Sequence, residues 1–150
     1  MATSETPVQT PEELMRAVRR LDMALAEWHG DLSARMEMST PELMALAHLA
    51  MVDALGPSEL ARRLRMTTGA MTALLDRLSE RGHVLREPHP SDRRRVVVRL
   101  TPQAREEAVS HVRPTSDEVR RLTERLSPDE RRTVGSFIEE LAAIVSRGAR

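Results

Sequence analysis

Residues 60–84 read LARRLRMTTGAMTALLDRLSERGHV, and residues 84–100 continue as VLREPHPSDRRRVVVRL. Two short helical patterns meet in the first stretch, Ser58 to Arg65 and Thr67 to Arg81, with a tight joint at Arg65-Met66. Leu60, Ala61 and Leu64 form the inward face of the first, and small Ala61 permits close approach by the second. Met71, Leu74, Leu75 and Leu78 recur at the spacing of one helix face, Met66 packs beneath the joint, and Thr67 is placed to cap the second helix. This is the logic of a helix-turn-helix. Its second helix leaves Thr68, Gly69, Thr72 and Ala73 on the outward side, with Arg77 further along. Small and hydroxylic side chains there let a helix sit deep in a major groove, where Ser and Thr bond base edges or phosphates. Arg77 and the cluster Arg62, Arg63 and Arg65 are placed for phosphate contacts, which supply affinity but little sequence information.

Taken alone, this pattern also fits an αα-hairpin of the kind found in proteins that touch no nucleic acid. The next residues decide between the two. Val84-Leu85-Arg86 and the β-branched run Arg95 to Leu100 bracket the turn formers Glu87-Pro88-His89-Pro90-Ser91-Asp92, which reads as a two-stranded ribbon with a charged tip. A helix-turn-helix followed at once by a basic β-hairpin is a winged helix. Arg93, Arg94 and Arg95 beside the tip suit a narrow, negatively charged minor groove. Asp92 is either a brace that orients one of these arginines or an Asx-type turn residue.

The charge balance agrees. The chain has 150 residues and a formal net charge of zero, all 23 of its basic residues being Arg. Between Gly56 and Thr101 ten arginines face five acids, a net +5, and the remainder holds thirteen arginines against eighteen acids, a net −5. A basic middle flanked by acidic ends reads as a polyanion-binding module inside a scaffold with another task. There is no cysteine, which excludes disulfides, thiolate catalysis and thiol redox sensing. No stretch reaches the roughly 20 apolar residues that span a bilayer, and the first residues lack a secretory pattern, so a soluble, cytoplasmic protein with no membrane partner is expected.

Four helix starts are written into the sequence. Thr10-Pro11-Glu12-Glu13, Ser39-Thr40-Pro41-Glu42 and Ser127-Pro128-Asp129-Glu130 each set a hydroxyl three residues before an acid, and Thr101-Pro102 repeats the start without the acid. The first helix, from Pro11 to Trp28 or beyond, carries the narrow stripe Leu14, Val18, Leu21, Leu25 and Trp28. The second, from Pro41 to Leu55 with Gly56 ending it, is apolar over much of its circumference. The helix after Thr101 contains Pro114, expected to kink or break it near Val112–Arg113. The last, Pro128 to Val145, lines up Val134, Phe137, Ile138, Leu141, Ile144 and Val145. Two long terminal helices with such stripes predict a homodimer seam.

No catalytic constellation emerges. The histidines at 29, 48, 83, 89 and 111 are scattered, with no H-E-x-x-H, and there is no G-x-S-x-G, G-x-G-x-x-G or G-x-x-x-x-G-K. No enzyme activity, metal or cofactor is expected. The runner-up function is a helical homodimer serving as a protein-interaction adaptor, its basic middle meeting an acidic partner.

The chain resembles the MarR family of bacterial transcriptional regulators. The resemblance rests on Gly56-Pro57-Ser58-Glu59-Leu60-Ala61, on Thr72-Ala73-Leu74-Leu75-Asp76-Arg77-Leu78 with Arg81-Gly82-His83-Val84, on Asp92-Arg93-Arg94 followed by Leu100-Thr101, and on Leu126-Ser127-Pro128-Asp129-Glu130-Arg131. It implies a mainly α protein, a winged helix-turn-helix of order α-α-α-α-β-β-α-α within a single domain over 1–150. Residues of about 11–38 and 102–150 would be dimerisation helices, and about 39–101 the DNA-binding region. It further implies a transcriptional regulator, read as a repressor, that binds a palindromic operator on double-stranded DNA as a homodimer. The wing-tip arginine falls on Arg94 with Asp92 as its partner, and recognition-helix contacts fall near Thr67, Thr68, Thr72 and Arg77. Family members bind small aromatic anions between the dimerisation helices and the winged helix, and here that region falls around Trp28, His29, Met44, His48, Met51 and His111. With one Trp and no Tyr the lining is poor in aromatics, and the family's cysteine-based peroxide sensing is excluded.

Overall fold

Among the described residues, the side chains that fill the interior lie between Leu32 and Ala104. The computed structural model describes residues 10–148, apart from the Arg93 side chain. Its elements are α1 (Pro11–Arg35), α2 (Thr40–Ala50), α3 (Pro57–Leu64), α4 (Thr68–Glu80), β1 (Val84–His89), β2 (Asp92–Leu100), α5 (Pro102–Glu124) and α6 (Pro128–Gly148). The chain divides into two compact units between Arg105 and Glu106.

In the first unit Met71, Leu74, Leu75 and Leu78 of α4 are fully buried, as their spacing requires, together with Leu60 and Ala61 of α3 and Leu43, Ala45, Leu46 and Leu49 of α2. Leu32 and Met36 close one side, and Val84, Val97, Val98 and Leu100 of the hairpin close another. Each large apolar side chain removed from water in this way contributes about 1.5–3 kcal/mol. The α3–α4 joint turns at Arg65, whose backbone is left-handed (φ 54°, ψ 39°), and Met66 N–H returns to the Ala61 carbonyl at 2.9 Å. Gly82 supplies the left-handed turn after α4 (φ 73°), and His83 N–H closes on the Leu78 carbonyl at 2.8 Å.

Strands β1 and β2 pair antiparallel from Val84↔Leu100 to Pro88↔Val96, with a bulge between Pro88 and His89. The ribbon is longer than the sequence indicated, because Pro88 and His89 pair instead of turning. The second helix, in turn, is shorter. It stops at Ala50, and Leu55 becomes extended and exchanges two backbone hydrogen bonds with Val98 (3.1 and 2.8 Å). Burying Leu55 while satisfying one edge of β2 outweighs the helical preference of residues 51–55.

Of the kink or break expected at Pro114, the break does not occur. Helix α5 is continuous through Pro114, so the lost hydrogen bond and ring crowding, about 3 kcal/mol in an isolated helix, are offset by the turns on either side. Beyond Arg105 no residue of α5 or α6 within the described range is buried. The cap of α6 is as read: Ser127 N–H donates to Glu130 Oε2 at 2.7 Å, and Glu130 N–H donates to Ser127 Oγ at 3.3 Å. None of the described helices is long and apolar enough to cross a membrane.

Candidate nucleic-acid interface

Helix α4 is held from behind and bare in front. Thr67 caps it, its hydroxyl accepting from Ala70 N–H at 3.2 Å. Burial of Met71, Leu74, Leu75 and Leu78 then forces Thr68, Gly69, Thr72 and Ala73 outward, where all four are exposed. The Thr72 hydroxyl donates back to the Thr68 carbonyl at 2.9 Å.

Two arginines one turn apart fasten this helix to the corner between α1 and α2. Arg77 Nε donates to Glu42 Oε1 at 2.9 Å, and the Glu42 side chain is only 8% exposed. Burial alone would raise the Glu42 carboxyl. Hydrogen bonds from the Ser39 hydroxyl and backbone (2.7 and 2.9 Å) and from Arg77 outweigh burial and lower it from 4.5 to about 2. Arg81 donates to the carbonyls of Glu37 (2.9 Å) and Met36 (3.2 Å), where Glu37 takes the left-handed conformation. Arg77 therefore has a structural partner that the sequence did not announce, and it meets any phosphate with its Nε already engaged.

Other arginines are also occupied. Arg62 and Arg63 both bond Glu59, at 2.7 and 2.9 Å, and lower its carboxyl below the ordinary range. Arg86 reaches from β1 to Asp76 Oδ1 at 2.6 Å and to the Thr72 carbonyl at 3.4 Å. Arg99 ties Glu87 across the hairpin at 3.0 Å and the Asp53 carbonyl at 3.3 Å. These contacts fix the ribbon against α4 and the strand at Leu55.

The exposed cations that remain are informative. Among the described residues Arg65, at the α3–α4 joint, and Arg95, on β2, have no ion-pair partner, and Arg94 is 93% exposed. One Asp92 oxygen accepts from the Arg94 backbone N–H at 3.1 Å and from Arg94 Nε at 3.4 Å. The side chain of Arg93 lies outside the described residues. Small neutral groups thus stand on the first turns of α4, with uncommitted positive charge at the joint before it and on the ribbon after it.

The winged helix has known counterparts. A family model described as MarR family matches residues 36–95. The multiple antibiotic resistance protein MarR of Salmonella typhimurium is 31% identical over 107 residues, covering 71% of this chain and 74% of that protein. The chain belongs to the MarR family of transcriptional regulators. The Bacillus subtilis HTH-type transcriptional regulator YcgE is 26% identical over 145 residues, 97% of this chain and 94% of its own. A cysteine-to-serine mutant of MarR from Escherichia coli, solved as a complex with operator DNA, is 26% identical with a TM-score of 0.54, covering 85% of this chain and 92% of that one.

The residues read as an effector region are less marked. Trp28 and His29 are half-buried on α1 with ring centroids 5.1 Å apart, and Met44 and His48 are half-buried one turn apart on α2. Met51 is almost fully exposed, and His111 lies on α5 in the second unit. Sequence reading missed Glu42, Asp76, Arg81 and Arg86 as the residues that position α4. Of these only Glu42 carried a signal, as the acid of a helix start.

Proposed function

We propose that this MarR-family chain is a non-enzymatic regulator that binds a palindromic operator on double-stranded DNA as a homodimer. The observation that carries this reading is the exposed N-terminal face of α4, uncharged and small, set between Arg65 and the Arg94–Arg95 pair. A helix N-terminus with such a face enters a major groove, and the flanking arginines meet phosphate and the adjacent minor groove. The MarR mutant complexed with operator DNA supports this use of the fold. Dimerisation is supported by the apolar stripe of α6, where Val134, Phe137, Ile138, Ile144 and Val145 are all exposed in the single chain. Half-sites would then lie about one DNA turn apart, roughly 10 base pairs. A repressor working in the cytoplasm, released by a small-molecule effector, completes the reading. Such an effector acts by its differential affinity for dimers whose recognition helices are wrongly spaced.

Fluorescence anisotropy against a duplex selected from a random pool, with a scrambled control, tests it. Three arginines per protomer, six per dimer, predict a slope of log affinity on log salt of about −5 and a strong preference for the selected site. Equal, weak binding to both duplexes would sink the reading and favour a protein partner for the basic surface.

A further inference from the structure

The front of α4 lacks the side chains that read most bases. In a major groove guanine is read by bidentate Arg or Lys, adenine by Asn or Gln, and cytosine by Asp or Glu, whereas thymine is met by apolar contact with its 5-methyl group. From Thr67 to Leu75 the sequence TTGAMTALL contains none of the first three sets. Thr68, Gly69, Thr72 and Ala73, at i, i+1, i+4 and i+5, share one side of the helix and are exposed. The Thr67 hydroxyl accepts from Ala70 N–H in the cap, and the Thr72 hydroxyl donates its proton to the Thr68 carbonyl, which ties that oxygen to the helix backbone and leaves the Thr72 γ-methyl for contact, beside the methyl of Ala73. Further along the helix the chemistry changes. Asp76 is taken by Arg86, Arg77 by Glu42, and Glu80 is an exposed acid, so base contact is confined to the first two turns.

Resting on the DNA-binding reading above, we propose that α4 selects its half-site through thymine 5-methyl groups, packed against the methyls of Thr72 and Ala73. The operators this chain recognises then carry thymine at one or two fixed positions in each half-site. Losing one such methyl contact weakens binding about fourfold, and losing it in both half-sites about fifteenfold.

Deoxyuridine differs from thymidine only in lacking that methyl, so the test changes the DNA and leaves the folded dimer untouched. Each thymine of the selected operator is replaced by deoxyuridine in both half-sites, one symmetric pair at a time, and the Kd is measured. One or two pairs should weaken binding about fifteenfold and the others by less than about twofold. The Thr72→Ser variant keeps the hydroxyl bonded to the Thr68 carbonyl and loses only the methyl. It should bind the thymine operator more weakly and show no deoxyuridine penalty at one of the sensitive pairs. Tight, selective binding that no deoxyuridine pair disturbs overturns methyl readout and leaves the DNA-binding reading intact. Failure to select any duplex overturns the DNA-binding reading itself, and a penalty that survives unchanged in Thr72→Ser removes Thr72 from the contact.

Discussion

The two units of the chain solve the same problem in opposite ways. Among the described residues every buried hydrophobic one lies between Leu32 and Ala104, whereas Val109, Val119, Leu122, Val134, Phe137, Ile138, Ile144 and Val145, all beyond Arg105, stand exposed. The first unit carries its own water-free core and so can hold a recognition helix rigidly. The second consists of amphipathic helices whose apolar stripes need another surface, as does the stripe Leu14, Leu21 and Leu25 of α1 in the first. Exposed apolar stripes of this extent mark an interaction face. On the proposed function, the difference separates a rigid reading head from a seam that assembly completes.

The largest expected effect tests the first half of that contrast. Leu74 is fully buried under α4, so Leu74→Ala should lower the unfolding free energy by about 2–5 kcal/mol, measured by urea denaturation of the dimer. A loss below about 1 kcal/mol would mean that the site collapses or that the core lies elsewhere.

The second half of the contrast predicts damage to assembly instead of folding. Phe137 is 41% exposed on α6, and Phe137→Asp places a carboxylate in the stripe assigned to the seam. The dimer Kd should rise on the order of a hundredfold, about 2–3 kcal/mol, while the helical content of the chain persists. Sedimentation over a range of concentrations reads this directly. A dimer as tight as the parent would show that α6 faces something other than its copy.

Part of the fold was legible in the sequence, for a physical reason. Helix starts are local, so Thr10 with Glu13, Thr67 with Ala70 and Ser127 with Glu130 could be read within four residues. The outward face of α4 followed as the complement of its apolar spacing. What escaped were pairings at long sequence separation. Leu55 joins β2 through Val98, Arg77 finds Glu42, and Arg81 finds the carbonyls of Met36 and Glu37. Nothing local marks Arg77, Arg81 or Arg86 as tethered, and so Arg77 read as a phosphate contact while Arg81 and Arg86 received no role.

Glu42 joins the two kinds of information, since it is both a helix-start acid and the anchor of Arg77. Its carboxyl is lowered from 4.5 to about 2 in the folded protein, so the stability it contributes is complete above about pH 4.5 and is lost as pH falls towards 2. Glu42→Gln should cost about 1–3 kcal/mol at neutral pH, because a buried charge-assisted bond is weakened and Arg77 loses its counter-charge. The gap between variant and parent should close as the pH is lowered through that window. A gap that is the same at pH 3 and pH 7 would remove the ionised pair as its cause.

The smallest effects distinguish the tethered arginines from the loose ones. Arg94 is braced by Asp92 yet almost wholly in water, and Arg94→Ala should weaken operator binding by about 1–3 kcal/mol with the dimer intact. Arg62 is equally a surface cation, but its guanidinium is closed on both oxygens of Glu59. Removing it deletes a charge that is already neutralised locally, and an exposed pair of this kind is worth at most about 1 kcal/mol to stability. Arg62→Ala should therefore change operator affinity and its salt slope less than Arg94→Ala does, in parallel titrations at two salt concentrations. If Arg62→Ala costs as much as Arg94→Ala, Glu59 releases its arginines on contact with DNA. The reading surface would then extend along α3 as well as α4 and the ribbon.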